Sequence, residues 1–194
     1  MPDIKLQPTS TAHWHELVCE AESKSHRHLG EEVQSYLVFL LQRFLSKPEI
    51  AVRILALDYL KGLHESGHQQ FERLRDVGDI CLLHAGFFPK RARTRLVSAN
   101  YYVDLGIGAY YQLHHHTPHQ QGQLFEQLYE GFVPAMDVLQ TIRSFESEHS
   151  LGQPLYDALT AYELWEHTGS TQAKQRLQNI TQATPTRTED KRRH

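Results

Sequence analysis

Apolar residues recur at intervals of three and four along almost the whole chain, and no stretch alternates apolar with polar positions or carries an NG or DG hairpin signal. That rhythm writes helices rather than strands, so the pattern predicts an all-α fold. In "TSTAHWHELVCEAES", Thr11 is a candidate N-cap, and Trp14, Leu17, Val18 and Ala21 share one face of a short first helix. A second helix runs from about Glu31 to Leu45, with Val33, Tyr36, Leu37, Leu40, Leu41 and Phe44 as a broad apolar stripe. Ser46, Pro48 and Glu49 are helix-start residues, so a third helix covers roughly 48 to 63, and "GLHESGH" breaks it. Further helices are expected over roughly 69–87, 95–115, 123–149 and 154–168, with "GSTQAKQRLQNITQ" adding a short last one. The expectation is a single bundle of seven or eight helices over 1–182, followed by a charged tail, 183–194, without apolar periodicity and read as disordered.

The fourth and fifth helices differ from the rest. Val77, Ile80, Cys81, Leu82, Leu83, Ala85, Phe87 and Phe88 surround the fourth, and "RLVSANYYVDLGIGAYYQL" leaves the fifth without a clear solvent face. A helix apolar all round is central, so both are expected at the heart of the bundle. Each nevertheless carries an acid, Asp79 and Asp104. Burying an unpaired carboxylate costs several kcal/mol, so each must be paired, hydrogen-bonded or neutral. Arg75 lies one turn from Asp79 on its own strip, while Asn100, Tyr101 and Tyr111 flank Asp104. Gly78, Gly86, Gly106 and Gly108 each weaken a helix by roughly 1 kcal/mol, in return for close helix approach or room for a bound group. Two readings stay open: a polar knot that fixes helix register, or a small-ligand pocket lined by Arg75, Asp79, Asn100, Asp104 and Tyr111.

Composition narrows the function classes. A chain of 194 residues that is 40% hydrophobic and 22% charged suits one globular domain. The first residues lack the marks of a signal peptide, and the longest apolar run, "YLVFLL", is too short to span a bilayer, so a cytoplasmic protein without membrane contact is expected. Cys19 and Cys81 have no metal-type spacing and read as small, reduced thiols. A formal net charge of −3 argues against a dedicated nucleic-acid binder, although 14 histidines make the charge sensitive to acidity. Locally, "PKRARTR" gathers Lys90, Arg91, Arg93 and Arg95 ahead of the fifth helix, a candidate contact for a small anion such as phosphate, an acidic partner or a nucleic-acid backbone.

Several motifs fail on inspection. "HESGH", His64 to His68, has the letters of a zinc-protease helix, but Ser66 and Gly67 stand where helix continuity is required, and a loop is expected. His114, His115, His116 and His119 crowd the end of the fifth helix, where cations are favoured by the helix dipole. A carboxylate-bridged di-metal site needs two ExxH units, and only Glu146 to His149 supplies one; "YELWEH", with Glu163, Glu166 and His167, lacks the spacing. No nucleophile elbow, P-loop or dinucleotide fingerprint occurs. No catalytic or metal-ligating residue is therefore assigned, and no cofactor is specified.

Residues 75–113, "RDVGDICLLHAGFFPKRARTRLVSANYYVDLGIGAYYQL", resemble a family of uncharacterised bacterial proteins, mostly proteobacterial, over about 30–145 of this chain. The resemblance implies a bacterial cytosolic origin and carries no activity or site residue with it. The expected function is non-enzymatic binding or regulation through a protein partner or self-association. The alternative is a small-ligand or metal-binding bundle, an enzyme among its forms, with its pocket around Asp79 and Asp104.

Overall fold

The computed structural model describes residues 10–46, 55–87, 98–146 and 154–182. Every regular element among them is a helix: α1 (Ser10–Ser25), α2 (Glu31–Ser46), α3 (Leu55–His64), α4 (Gly67–Gly86), α5 (Ala99–His116), α6 (His119–Glu130), α7 (Phe132–Glu146), α8 (Pro154–Thr168) and α9 (Thr171–Thr181). None is long and apolar enough to cross a membrane. The expected tail, 183–194, lies outside the described residues, as do 47–54 and the basic segment 88–97.

Local chemistry fixes the boundaries. Glu31 and Glu32 favour the α2 N-terminus, and Val33, Leu37, Val38, Leu40 and Leu41 form its buried stripe. Ahead of it, Glu22 binds the incoming turn: its carboxylate accepts from Leu29 N–H at 2.5 Å and from Gln34 Nε2 at 2.7 Å. Ser98 caps α5 by accepting from Tyr101 N–H at 3.3 Å. The helix expected over 123–149 is instead two, α6 and α7, divided at Gly131. Pro134 is the cause: inside one continuous helix its ring would strike the Glu130 carbonyl, whereas in the first turn of α7 its missing N–H costs nothing.

The core joins residues from every helix into one cluster running from Val18 to Ala173, with Tyr110 and Phe132 among its largest fully buried side chains. At its centre is α4, buried without interruption from Val77 to Gly86 and packed against α3, α5 and α7. Two glycines make that packing possible. A Cβ on Gly78 would sit 2.5 Å from the Tyr110 ring, and one on Gly86 would lie 3.2 Å from the Met136 carbonyl oxygen of α7. Here the glycines admit a ring and a neighbouring helix rather than a ligand.

The fifth helix, α5, corrects the sequence expectation. It buries Tyr102, Val103, Ala109, Tyr110 and Leu113, but Asp104, Tyr111, His115 and His116 face solvent. Its many tyrosines hid an amphipathic helix, because a tyrosine counted as apolar can also lie at a surface. The last two helices pack as a hairpin with a small cluster of their own, formed by Ala158, Ala161 and Leu177.

Candidate functional site: the Asp79 centre

Tyr36 and Arg43 stand seven residues apart on α2, two turns along one face, and both reach α4. There they meet Asp79 and Asp76, which are one turn apart. Tyr36 Oη donates to Asp79 Oδ1 at 2.5 Å, and Tyr110 Oη, arriving from α5, donates to the same oxygen at 2.9 Å. Arg43 spans both acids, with Nη1 donating to Asp79 Oδ2 at 3.0 Å and Nη2 to Asp76 Oδ1 at 2.5 Å. Asp79 is 4% exposed, so these bonds replace the water it has lost.

Burial raises the Asp79 carboxyl above its ordinary range, opposed by the hydrogen bonds of both tyrosines and by the charge of Arg43. Burial and the neighbouring carboxylate push the Tyr36 and Tyr110 phenols far up, so both keep their protons and act as donors. Burial likewise pushes up the Cys81 thiol, which denies it nucleophilic character. Beside the centre, Leu40, Arg43, Phe44, Asp79, Ile80 and Leu83 line a half-open hollow of about 10 Å³. That is room for roughly one water.

Two sequence expectations need correction. Arg75 is not the hydrogen-bonding partner of Asp79: its Nη2 lies 3.5 Å from Asp76 Oδ1, its guanidinium covers the Phe71 ring at 5.7 Å, and its Nε is buried without a hydrogen bond. Arg43 takes its place from the neighbouring helix, where one guanidinium reaches both Asp79 and Asp76. Nor does Asp104 join the centre. Its side chain is 62% exposed and pairs with His167 Nε2 at 2.8 Å. Asn100 on the same strip donates to the Glu163 carbonyl at 3.4 Å, and Tyr111 packs on His115 and Tyr129 at centroid distances of 4.2 and 5.5 Å. The five residues expected around one pocket or network thus divide between the inner face of α4 and the outer face of α5.

A second buried polar centre escaped the sequence reading. Asp137 on α7 is 0% exposed. Its Oδ2 accepts from Arg27 Nε at 2.9 Å, Arg27 Nη2 at 2.6 Å, and the N–H and Oγ1 of Thr171, each at 3.1 Å. Its Oδ1 accepts from Ser170 Oγ, which itself accepts from Ala173 N–H at 3.0 Å and so caps α9. The available signal was an acid inside "FVPAMDVLQTI", followed later by the helix-start pair Ser170–Thr171.

The other motifs stay apart. His64 ends α3 and His68 lies in α4, with Gly67 at φ 63° between them, while Glu65 is bound to Arg73. The Nδ1 atoms of His114, His115 and His116 lie 3.0, 3.0 and 2.7 Å from the carbonyls of Gly122, Tyr111 and Gln112. Among the described residues no group of three or more His, Cys, Asp or Glu side chains converges as a metal site would require. His149 and the basic residues Lys90, Arg91, Arg93 and Arg95 lie outside the described residues. No family model matches this chain, no curated protein matches it, and no solved structure matches it.

Proposed function

We propose that this chain is a non-enzymatic binding protein that works through its surface, in a bacterial cytoplasm, with its buried polar centres serving to hold the helices in register. The observation that carries this reading is the placement of exposed apolar side chains. Of the seven large hydrophobic residues exposed among the described residues, five lie on α2 and α3: Phe39, Leu45, Leu57, Leu60 and Leu63. Single exposed leucines need no explanation, but Leu57, Leu60 and Leu63 follow one another at three-residue steps on one helix, and neighbouring exposed apolar side chains of that kind support an interaction surface. The Asp79 centre lends support by its economy: both carboxylate oxygens have donors, and the adjoining space takes one water rather than a substrate. The basic residues Lys90, Arg91, Arg93 and Arg95 are a second candidate contact, for an acidic partner.

Native mass spectrometry of untagged protein, purified gently, tests the reading. The expected spectrum holds the chain alone or with another protein chain. A stoichiometric small molecule or metal that leaves on unfolding would overturn it in favour of an internal ligand site.

A further inference from the structure

Resting on the surface-binding reading, we infer that the outer face of α3 is the docking ridge for an acidic amphipathic helix of a partner protein. The inner face of α3 is accounted for: Leu55 and Gly62 are buried, and Gly62 lies against Leu74 of α4. Its outer face carries Leu57, Leu60 and Leu63, which are 48%, 54% and 38% exposed. Leucines on both sides of one helix are the pattern of a helix covered on both sides.

The form of the ridge names the form of its occupant. Leu57, Leu60 and Leu63 follow one another at three-residue steps, so they make a continuous row along the helix. Such a row packs into the four-residue groove of another helix at a shallow crossing angle of about 20°. A single row of leucines on one helix is narrow and convex. It matches one helix seated along it better than the broad face, about 800 Å² per partner, of a stable globular dimer.

Charge then names the occupant's chemistry. Asp58, Lys61, Glu65 and Arg73 are formally balanced, but they are sorted by depth. Both acids turn to Arg73: Glu65 oxygens lie 2.6 and 2.7 Å from its Nε and Nη2, and Asp58 Oδ1 lies 3.2 Å from its Nη1. Their side chains are only 15% and 24% exposed, for Asp58 and Glu65 respectively. Glu72 of α4 pairs with His68 at 3.4 Å. The exposed polar side chains of α3 are Lys61, a cation, and His64, a hydrogen-bonding imidazole, which form a parallel row on one flank. An occupant with leucines in its seam and glutamates or aspartates on the matching edge satisfies both rows. A second copy of this chain does not: paired antiparallel, it sets the Lys61 and His64 row against itself. Neither do this chain's own segments 88–97 and 183–194, whose basic residues outnumber their acidic ones.

The test titrates labelled helical peptides of about 20 residues, long enough to hold helix, into the full chain by fluorescence anisotropy. One has leucines on one face flanked by glutamates; its match has lysines in place of the glutamates. The expected result is saturable binding of the glutamate peptide that weakens with added salt, with the lysine peptide at least tenfold weaker. Leu57→Ser with Leu60→Ser should lower the affinity by more than about tenfold, the loss of a central anchor. Lys61→Glu with His64→Glu, which keeps the leucine ridge, should reverse the preference between the peptides. All four substitutions fall on exposed positions, and an unchanged urea midpoint would show the fold intact.

Binding of neither peptide, equal binding of both, or binding indifferent to the leucine substitutions would overturn the inference. So would leucine-dependent dimerisation in sedimentation, which assigns the ridge to a second copy. Leucine-dependent flotation with phosphatidylglycerol vesicles without peptide binding would assign it to a membrane and equally overturn it. Each of these failures, with no small molecule in the native mass spectrum, leaves the broader surface-binding reading standing.

Discussion

Replacing Asp137 with alanine should be among the most damaging single changes in this protein, because one fully buried carboxylate does two jobs. It neutralises Arg27, which reaches it from the turn between α1 and α2, and it receives the N-terminus of α9 through Ser170 and Thr171. Breaking a buried ion pair by removing one partner costs about 3–5 kcal/mol, since the surviving charge is left unpaired. Arg27 is 22% exposed, so water can recover part of its solvation, and the lower end of that range applies. Loss of the helix-end contacts adds about 1 kcal/mol. The Ser170 cap to Ala173 survives, and the two losses share one carboxylate, so they do not add fully. We expect about 3–4 kcal/mol for Asp137→Ala and roughly half that for Asp137→Asn. The asparagine keeps an oxygen where Arg27 and Thr171 donate, and its amide can donate to the Ser170 hydroxyl. Urea unfolding followed by helical circular dichroism would show a lower midpoint at unchanged slope. Hydrogen exchange should show α9 amides losing protection before those of α4. A cost below about 1 kcal/mol for the alanine variant, or a larger cost for asparagine than for alanine, would refute the reasoning.

Three further outcomes follow from the geometry. Since burial lifts the Asp79 carboxyl, the folded state holds that proton more tightly than the unfolded chain, and this contribution to stability is lost as pH rises through the folded value. The stability of wild type relative to Asp79→Asn, from urea curves, should therefore fall as pH rises from about 4; a rise would mean that Arg43 and the two tyrosines outweigh burial. Gly78→Ala should destabilise by about 1–3 kcal/mol by driving a Cβ into the Tyr110 ring. Gly108→Ala meets only the hydroxyl end of half-buried Tyr59, at 3.2 Å, and should stabilise by up to about 1 kcal/mol; thermal melts that shift the same way for both would contradict this. Asp104→Ala should change stability by no more than about 0.5 kcal/mol, as for an exposed polar contact, and a loss above about 2 kcal/mol in the same melts would restore it to the core.

The helices were legible because their ends are marked chemically and their inner faces keep one period. α2 and α8 fall within a residue of where their stripes and start signals put them. The break at Gly131 was equally legible, since Pro134 cannot sit inside a continuous helix, but the apolar stripe of "LFEQLYEGFVPAMDVLQTI" runs through it and outweighed the proline. The partners of the polar centres were not legible. Arg43 is 36 residues from Asp79, and Arg27 is 110 from Asp137. Nothing in helical spacing selects such pairs; only the packing of one helix on another does.

The three acids set in apolar runs show where the sequence signal lies. Asp79 in "GDICLL", Asp104 in "VDLGIG" and Asp137 in "MDVLQ" have equally apolar neighbours in the chain, yet two are buried and one faces solvent. Phase separates Asp104 from Asp79: the strip of Asp104 also holds Asn100, Tyr111 and His115, whereas one turn beyond Asp79 come Leu82 and Leu83, both buried. Asp137 escapes that signal, because its strip holds Val133, Thr141 and exposed Ser144, which suit a surface as well as a core. Its burial is set by Arg27 and the N-terminus of α9, which close over it from distant parts of the chain.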